Sequence, residues 1–261
     1  MSNHAARLGV FAEVNGLKMY YELHGRGKPL VLLHGGGSTI ESTFGRLLPV
    51  LSGTRQVIAI ELQAHGRTKD INRPLSFEQD ADDVAALLAE INIPKADFMG
   101  FSNGGTTCLQ IAMRHPAMVN KLVLASATFK RDGMQAGFFD GFKQASLEMM
   151  PAPLQAAYLK VNPDPNGLKA MFEKDVAKMA SFRDIKDDDV RNIQAPALVI
   201  NGDSEVVLAS HALELAKTLP NGRLAILPSG HGDYLGEVCT LATDSRLPIL
   251  VATMIEEFLA K

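Results

Sequence analysis

Short, continuous apolar runs alternate along this chain with longer stretches whose apolar residues recur every three or four positions. The runs are Pro29 to Leu33, Gln56 to Leu62, Ala96 to Phe101, Lys121 to Ala127, Ala197 to Asn201 and Leu224 to Leu227. None alternates polar with apolar, which is the pattern of a strand buried on both faces. Between them the spacing predicts helices at about Ser42 to Leu51, from Ser76 onward, from Ser102 to about His115, at Ser210 to Leu219 and at Leu247 to Leu259. Ser76 is a natural N-cap before an apolar stripe of Phe77, Val84, Leu87 and Leu88, and Pro116 stops the helix before it. At the start, Phe11 to Val14 and Leu17 to Leu23 flank Asn15-Gly16, the strongest two-residue hairpin signal.

Strands alternating with amphipathic helices predict an α/β fold: a mainly parallel, eight-stranded sheet with helices on both faces and the hairpin at one edge. The rhythm breaks between residues 128 and 192. That stretch is rich in Met and Phe, carries Pro151, Pro153, Pro163 and Pro165, and reads as helical with interruptions. It is expected to form a helical lid inserted into a core made of residues 1–127 and 193–261. Ligands of such sheets bind beyond the carboxyl ends of the strands, so residues that directly follow strands share one neighbourhood.

Composition narrows the class. With 46% apolar and 21% charged residues and a net charge of -3, the chain is neither disordered nor suited to a polyanion, so nucleic acid is not expected as a partner. Met1 to Val10 lacks the apolar core of a secretory signal and no run spans a bilayer, so a cytoplasmic protein without membrane attachment is expected. Cys108 and Cys239, the only cysteines, make neither a disulfide framework nor a zinc site. Cys108 is expected in the core. Asp187-Asp188-Asp189 reads as a solvated loop or helix start, not a metal site. No cofactor is expected.

The chemistry gathers around Gly100-Phe101-Ser102-Asn103-Gly104. This is G-x-S-x-G between a strand and a helix, the turn that lifts a serine hydroxyl above a sheet. Serine at its ordinary pKa needs an adjacent base. His231, just past the last strand, is the candidate; His34 and His65 also follow strands but lie in Gly-containing turns, and His4 and His24 fall in the poorly constrained amino-terminal part. A base histidine needs a carboxylate to orient it, and Asp203 and Glu205 both follow the strand at Ala197. Acyl transfer creates an oxyanion, for which the Asn103 N–H, directly after the serine, is one donor.

These residues together resemble the α/β-hydrolase superfamily over nearly the whole chain. The landmarks are His34-Gly35-Gly36-Gly37, Ala64-His65-Gly66-Arg67-Thr68, the serine turn, Arg114-His115-Pro116 and Ser229-Gly230-His231. The resemblance implies a serine esterase-like enzyme with Ser102 as nucleophile and His231 as base. It places the acid at Glu205, where the family usually has Asp, with Asp203 the alternative, and assigns Gly36 as the second oxyanion donor. Gly35, Phe138, Phe142 and Met149 are expected against a small-molecule substrate. The reaction implied is hydrolysis of a carboxylic ester, lactone or thioester. Perhydrolysis, carbon–carbon bond hydrolysis and a non-catalytic ligand binder are the alternatives.

Overall fold

The computed structural model describes residues 8–241 and 243–261; His4 and most of the segment read for a secretory signal lie outside them. Asn15 and Gly16 take positive φ values of 50° and 77°, as a two-residue hairpin turn demands. That turn joins β1 (Leu8–Val14) to β2 (Leu17–His24) in antiparallel register. Six further strands follow: β3 (Lys28–Leu33), β4 (Arg55–Glu61), β5 (Ala96–Phe101), β6 (Val119–Ala125), β7 (Ala197–Gly202) and β8 (Gly222–Leu227). The sheet order is β1-β2-β4-β3-β5-β6-β7-β8, and β3 through β8 are mutually parallel.

Each central strand carries a continuous apolar stretch because its two faces feed two cores. Val31 and Leu33 of β3 join one cluster, with α3 (Phe77–Glu90), α4 (Asn103–Arg114) and α9 (Ala209–Thr218) over them. Leu30 and Leu32 point the other way, beneath α1 (Ile40–Phe44), α2 (Leu48–Leu51) and α10 (Leu247–Ala260). These four side chains are fully buried, and each contributes roughly 1.5–3 kcal/mol relative to exposure. Cys108 belongs to the first core, and burial pushes its thiol up.

The single helix expected at Ser42 to Leu51 is two. Thr39 and Ser42 form a capping box that starts α1 early, the chain breaks at Gly45, and Pro49 opens the first turn of α2. Ser76 caps α3 as expected, its side chain accepting the Gln79 N–H at 3.1 Å. Between β6 and β7 the described residues form no strand of the sheet; they carry α5 (Phe138–Gly141), α6 (Ala152–Val161), α7 (Pro165–Ala180), α8 (Asp187–Arg191) and several short 3-10 turns. The three aspartates of the 187–189 run form the first turn of α8, where Asp187 pairs with Lys130 at 2.7 Å. Among the described residues no cluster has the makings of a metal site, and no helix is long and apolar enough to cross a membrane.

β3 lies between β4 and β5, so the chain leaves it first to one side and then to the other. The crevice beyond β3 and β5 is therefore the topological switch point of the sheet. The His34-Gly35-Gly36-Gly37 turn follows one of these strands and Ser102 the other.

Candidate active site

Ser102 is the residue between β5 and α4, with φ 52° and ψ −119°. Such angles cost a side-chain-bearing residue about 1–3 kcal/mol, so neighbouring contacts must hold the turn. Ser102 N–H donates to Ala125 O at 2.8 Å, and Ser102 O accepts from Gly105 N at 2.9 Å. The glycines make the close approach possible. A methyl group on Gly104 would collide with the carbonyl oxygen of Leu33, and one on Gly100 with the backbone of Gly104. Asn103 opens α4, where backbone N–H groups have no acceptors within the helix and favour negative charge.

Gly35 packs directly on this turn. A methyl group there would stand 3.0 Å from the Phe101 ring and 3.5 Å from Ser102 Cβ. Across the turn, Phe101 also receives the ring of His231, centroid to centroid 4.8 Å. Gly35, which adjoins Ser102, and His231 thus share Phe101 as their common floor.

The carboxylate in contact with His231 is that of Glu205, whose Oε2 stands 2.5 Å from His231 Nδ1. Glu205 Oε1 accepts the Gly202 N–H at 2.5 Å and the Ser126 hydroxyl at 2.9 Å. Glu205 is 6% exposed, so these donors take the place of water around a buried carboxylate. Asp203 is exposed and turned elsewhere, its Oδ1 accepting the Ser229 N–H at 3.1 Å. Behind Ser126 lies Tyr234, fully buried, with its hydroxyl 2.6 Å from Ser126 Oγ. Burial, reinforced by the charge of Glu205, holds the Tyr234 phenol well above its ordinary pKa and keeps it a neutral hydroxyl. Ser126 and Tyr234 escaped the sequence reading, although Ser126 directly follows β6 and the strand-end rule points to it.

The other two histidines that follow strands, His34 and His65, sit under the glycine turn. His34 Nδ1 donates to Gly35 O at 2.8 Å while its Nε2 accepts the Leu62 N–H at 3.1 Å. Burial, aided by the charge of His65, lowers its pKa to about 3 and keeps the ring neutral. His65 lies 4.8 Å away, ring to ring, and behaves in the opposite way. Burial alone would lower its pKa, but Asp175 and the Gln63 carbonyl outweigh that and leave it raised. Asp175 comes from α7, and His65 and Lys178 hold its pKa near 2 against the effect of burial.

Of the residues expected against a substrate, Gly35 adjoins Ser102, whereas Phe138 and Phe142 pack with Phe77, Phe139, Met179 and Phe182. Met149 is 66% exposed. Its neighbour Met150 is the one turned inward: it is buried, and its Cε would lie 3.1 Å from a methyl group on Gly37.

A parallel sheet with a strained serine turn at its switch point and a His–carboxylate pair beyond later strands defines the α/β-hydrolase fold, and the chain has that fold and is similar to the α/β-hydrolase superfamily. The family's alpha/beta hydrolase fold profile matches residues 28–148. The chain is 28% identical to the serine hydrolase BPHL of Homo sapiens, covering 88% of this chain and 84% of that one. It is 25% identical to a non-heme haloperoxidase of Rhodococcus erythropolis, covering 88% and 93% respectively. Among solved structures it is similar to Est816, described as an N-acyl homoserine lactone degrading enzyme, with 26% identity, a TM-score of 0.74, and coverage of 95% and 99%. These relationships make the chain an enzyme of the hydrolase type.

Proposed function

We propose that the protein is a serine hydrolase that cleaves a carboxylic ester, or a lactone or thioester, of a small molecule. The observation that carries this reading is the 2.5 Å contact of His231 Nδ1 with buried Glu205, made by a histidine whose ring rests on the residue preceding Ser102. Glu205 fixes the imidazole so that Nε2 is the free, basic nitrogen and stabilises the imidazolium that forms. Ser102 Oγ attacks the carbonyl carbon and its proton passes to His231. The oxyanion takes the N–H groups of Gly36 and Asn103, each donor contributing about 3 kcal/mol. Collapse expels the alcohol, protonated by His231, and leaves an acyl group on Ser102. Water, deprotonated by His231, then releases the acid. Residues 128–192 act as the lid over this chemistry.

The test is a pre-steady-state burst with p-nitrophenyl esters of graded chain length. One equivalent of nitrophenol per Ser102 is expected, and Ser102→Ala abolishes it; a burst that survives this substitution removes the reading. A second reading, transfer of the acyl group to peroxide, is supported by the likeness to the haloperoxidase. Peracid formation from a short acid and hydrogen peroxide separates the two.

A further inference from the structure

The two peptides on either side of Gly36 are held by different parts of the chain. The one before it is fixed locally: Gly35 O accepts from His34 Nδ1 at 2.8 Å and from the Ser38 N–H at 3.3 Å. In a planar trans peptide the N–H points opposite to the carbonyl, so these bonds aim the Gly36 N–H away from both donors. Among the described residues it meets no acceptor.

The peptide after it is weakly held by its own turn. Its carbonyl, Gly36 O, receives the Ser38 hydroxyl at 3.3 Å, a long contact, and it joins two glycines, the residues with the widest backbone freedom. What fixes it comes from far along the chain. Asp175 Oδ2, on α7, accepts the Gly37 N–H at 2.7 Å, a short bond to a charged acceptor. The same oxygen would lie 3.2 Å from a methyl group on Gly36, so the carboxylate rests against both glycines.

The reach of Asp175 is itself fixed. Residues 171, 174, 175 and 178 share one face of α7. Met171 is fully buried, Lys174 Nζ stands 2.7 Å from Asp70 and 2.8 Å from the carbonyl oxygens of Ile71 and Arg73, and Lys178 Nζ pairs with Asp80 of α3 at 2.5 Å. His65 Nε2 stands 2.9 Å from Asp175 Oδ2, and against the effect of burial His65 and Lys178 keep that carboxylate ionised. The two lysines grip the body of the protein. Asp175 alone of the three reaches the turn beside Ser102.

We propose that Asp175 is a positioning residue for the oxyanion: by holding the Gly37 N–H it fixes the Gly36–Gly37 peptide, and with it the Gly36 N–H, where the charge develops. It touches neither the substrate nor the reacting atoms. The proposal rests on the serine hydrolase reading above and deepens it, because the oxyanion turn is then complete only while α7 is docked.

The test follows inactivation of Ser102 by diisopropyl fluorophosphate, in which Ser102 Oγ bonds to phosphorus, fluoride leaves and the serine proton passes to His231. The phosphoryl oxygen draws on the same donors as an ester oxyanion, so the substrate need not be known. The dependence on reagent concentration separates the binding constant KI from the limiting rate constant kinact. Asp175→Leu removes the acceptor at similar volume and is expected to lower kinact by about 10–100-fold, with KI within about threefold of wild type. Asp175→Asn restores an acceptor and is expected to stay within about fivefold. Lys174→Met cuts a neighbouring contact of α7, leaves the Asp175 bond, and is expected to keep kinact within about twofold.

Amide exchange at Gly37, followed by NMR, reads the bond without catalysis and needs no variant. In the wild type the Gly37 proton is expected to exchange at least about 10-fold more slowly than in an unstructured chain. Exchange at the unstructured rate overturns the proposal, as do an unchanged kinact in Asp175→Leu and a loss carried by KI alone. Equal losses in Asp175→Leu and either Asp175→Asn or Lys174→Met overturn it too. All of these leave the hydrolase reading standing. Failure of the wild-type Ser102 to react with the reagent instead removes that reading and this proposal with it.

Discussion

Glu205 Oε2 lies 2.5 Å from His231 Nδ1, and the other oxygen of the same carboxylate is held by Gly202 N–H and the Ser126 hydroxyl. The acid therefore has little freedom, and the imidazole inherits its orientation. Glutamate in place of the family's usual aspartate is accommodated because Glu205 is anchored to the backbone of its own turn, at Gly202, three residues back.

Glu205→Gln keeps the size of the side chain but loses the charge and half the acceptor capacity. An approximately 10³–10⁴-fold fall in kcat on p-nitrophenyl esters is expected, with the fold intact. Asp203→Asn, which leaves the pair untouched, is expected to change kcat by less than about threefold. Comparable losses in the two variants would contradict the assignment of the acid.

Ser126 and Tyr234 act through Glu205. Ser126→Ala removes a hydrogen bond to a buried carboxylate and is expected to cost about 1–3 kcal/mol of stability. It also frees Glu205 to move, lowering kcat more than KM. Tyr234→Phe deletes the hydroxyl behind Ser126 and produces a smaller effect in the same direction. Denaturant melts beside steady-state kinetics check both, and a variant with lost stability but unchanged kcat would show that the contact serves the fold alone.

Glycines near the serine divide into two kinds. Gly104→Ala drives a Cβ into backbone, the carbonyl of Leu33, and is expected to destabilise by more than about 3 kcal/mol. Gly36→Ala meets chiefly the end of the Asn103 side chain, 2.6 Å away, which is able to turn aside. It should melt within a few degrees of wild type yet lose activity, because the displaced amide and the new methyl group crowd the oxyanion position. Melting temperature and kcat measured together test the contrast.

His34 and His65, ring to ring at 4.8 Å, make opposite contributions to stability as pH changes. The lowered pKa of His34 means its contribution is complete above the unfolded histidine value of roughly 6.5 and is lost as pH falls toward about 3. The raised pKa of His65 means the reverse: its contribution is complete below roughly 6.5 and is lost as pH rises through the folded value. His65→Gln should therefore destabilise most on the acid side of that window and converge with wild type as the medium becomes alkaline. Parallel melting curves across the range would contradict the ion pair with Asp175.

Much of this was legible in the chain. The runs at Pro29 and Ala197 announce doubly buried strands because Leu30 to Leu33 and Ala197 to Ile200 alternate between two cores, and Asn15-Gly16 announces its hairpin because few other dipeptides accept two positive φ values. Ser102 and His231 were legible as candidates because each directly follows or lies just beyond a strand end in a parallel sheet, and the same rule put forward Asp203 and Glu205 together without choosing between them. Asp175 was not, since it reaches His65 across 110 residues from a helix in the irregular stretch, where no periodicity fixes which face turns inward. The same ambiguity hid the difference between Met149, exposed at the end of a short 3-10 turn, and Met150, buried directly after it.

The most direct measurement is the mass of the protein quenched during turnover of a slow ester, followed by peptide mapping. A single acyl group on the peptide containing Ser102, absent from Ser102→Ala and strongly reduced in His231→Ala, is the result expected. Turnover proceeding with no acylated Ser102, or with the group mapped to another residue, would contradict the account at its centre.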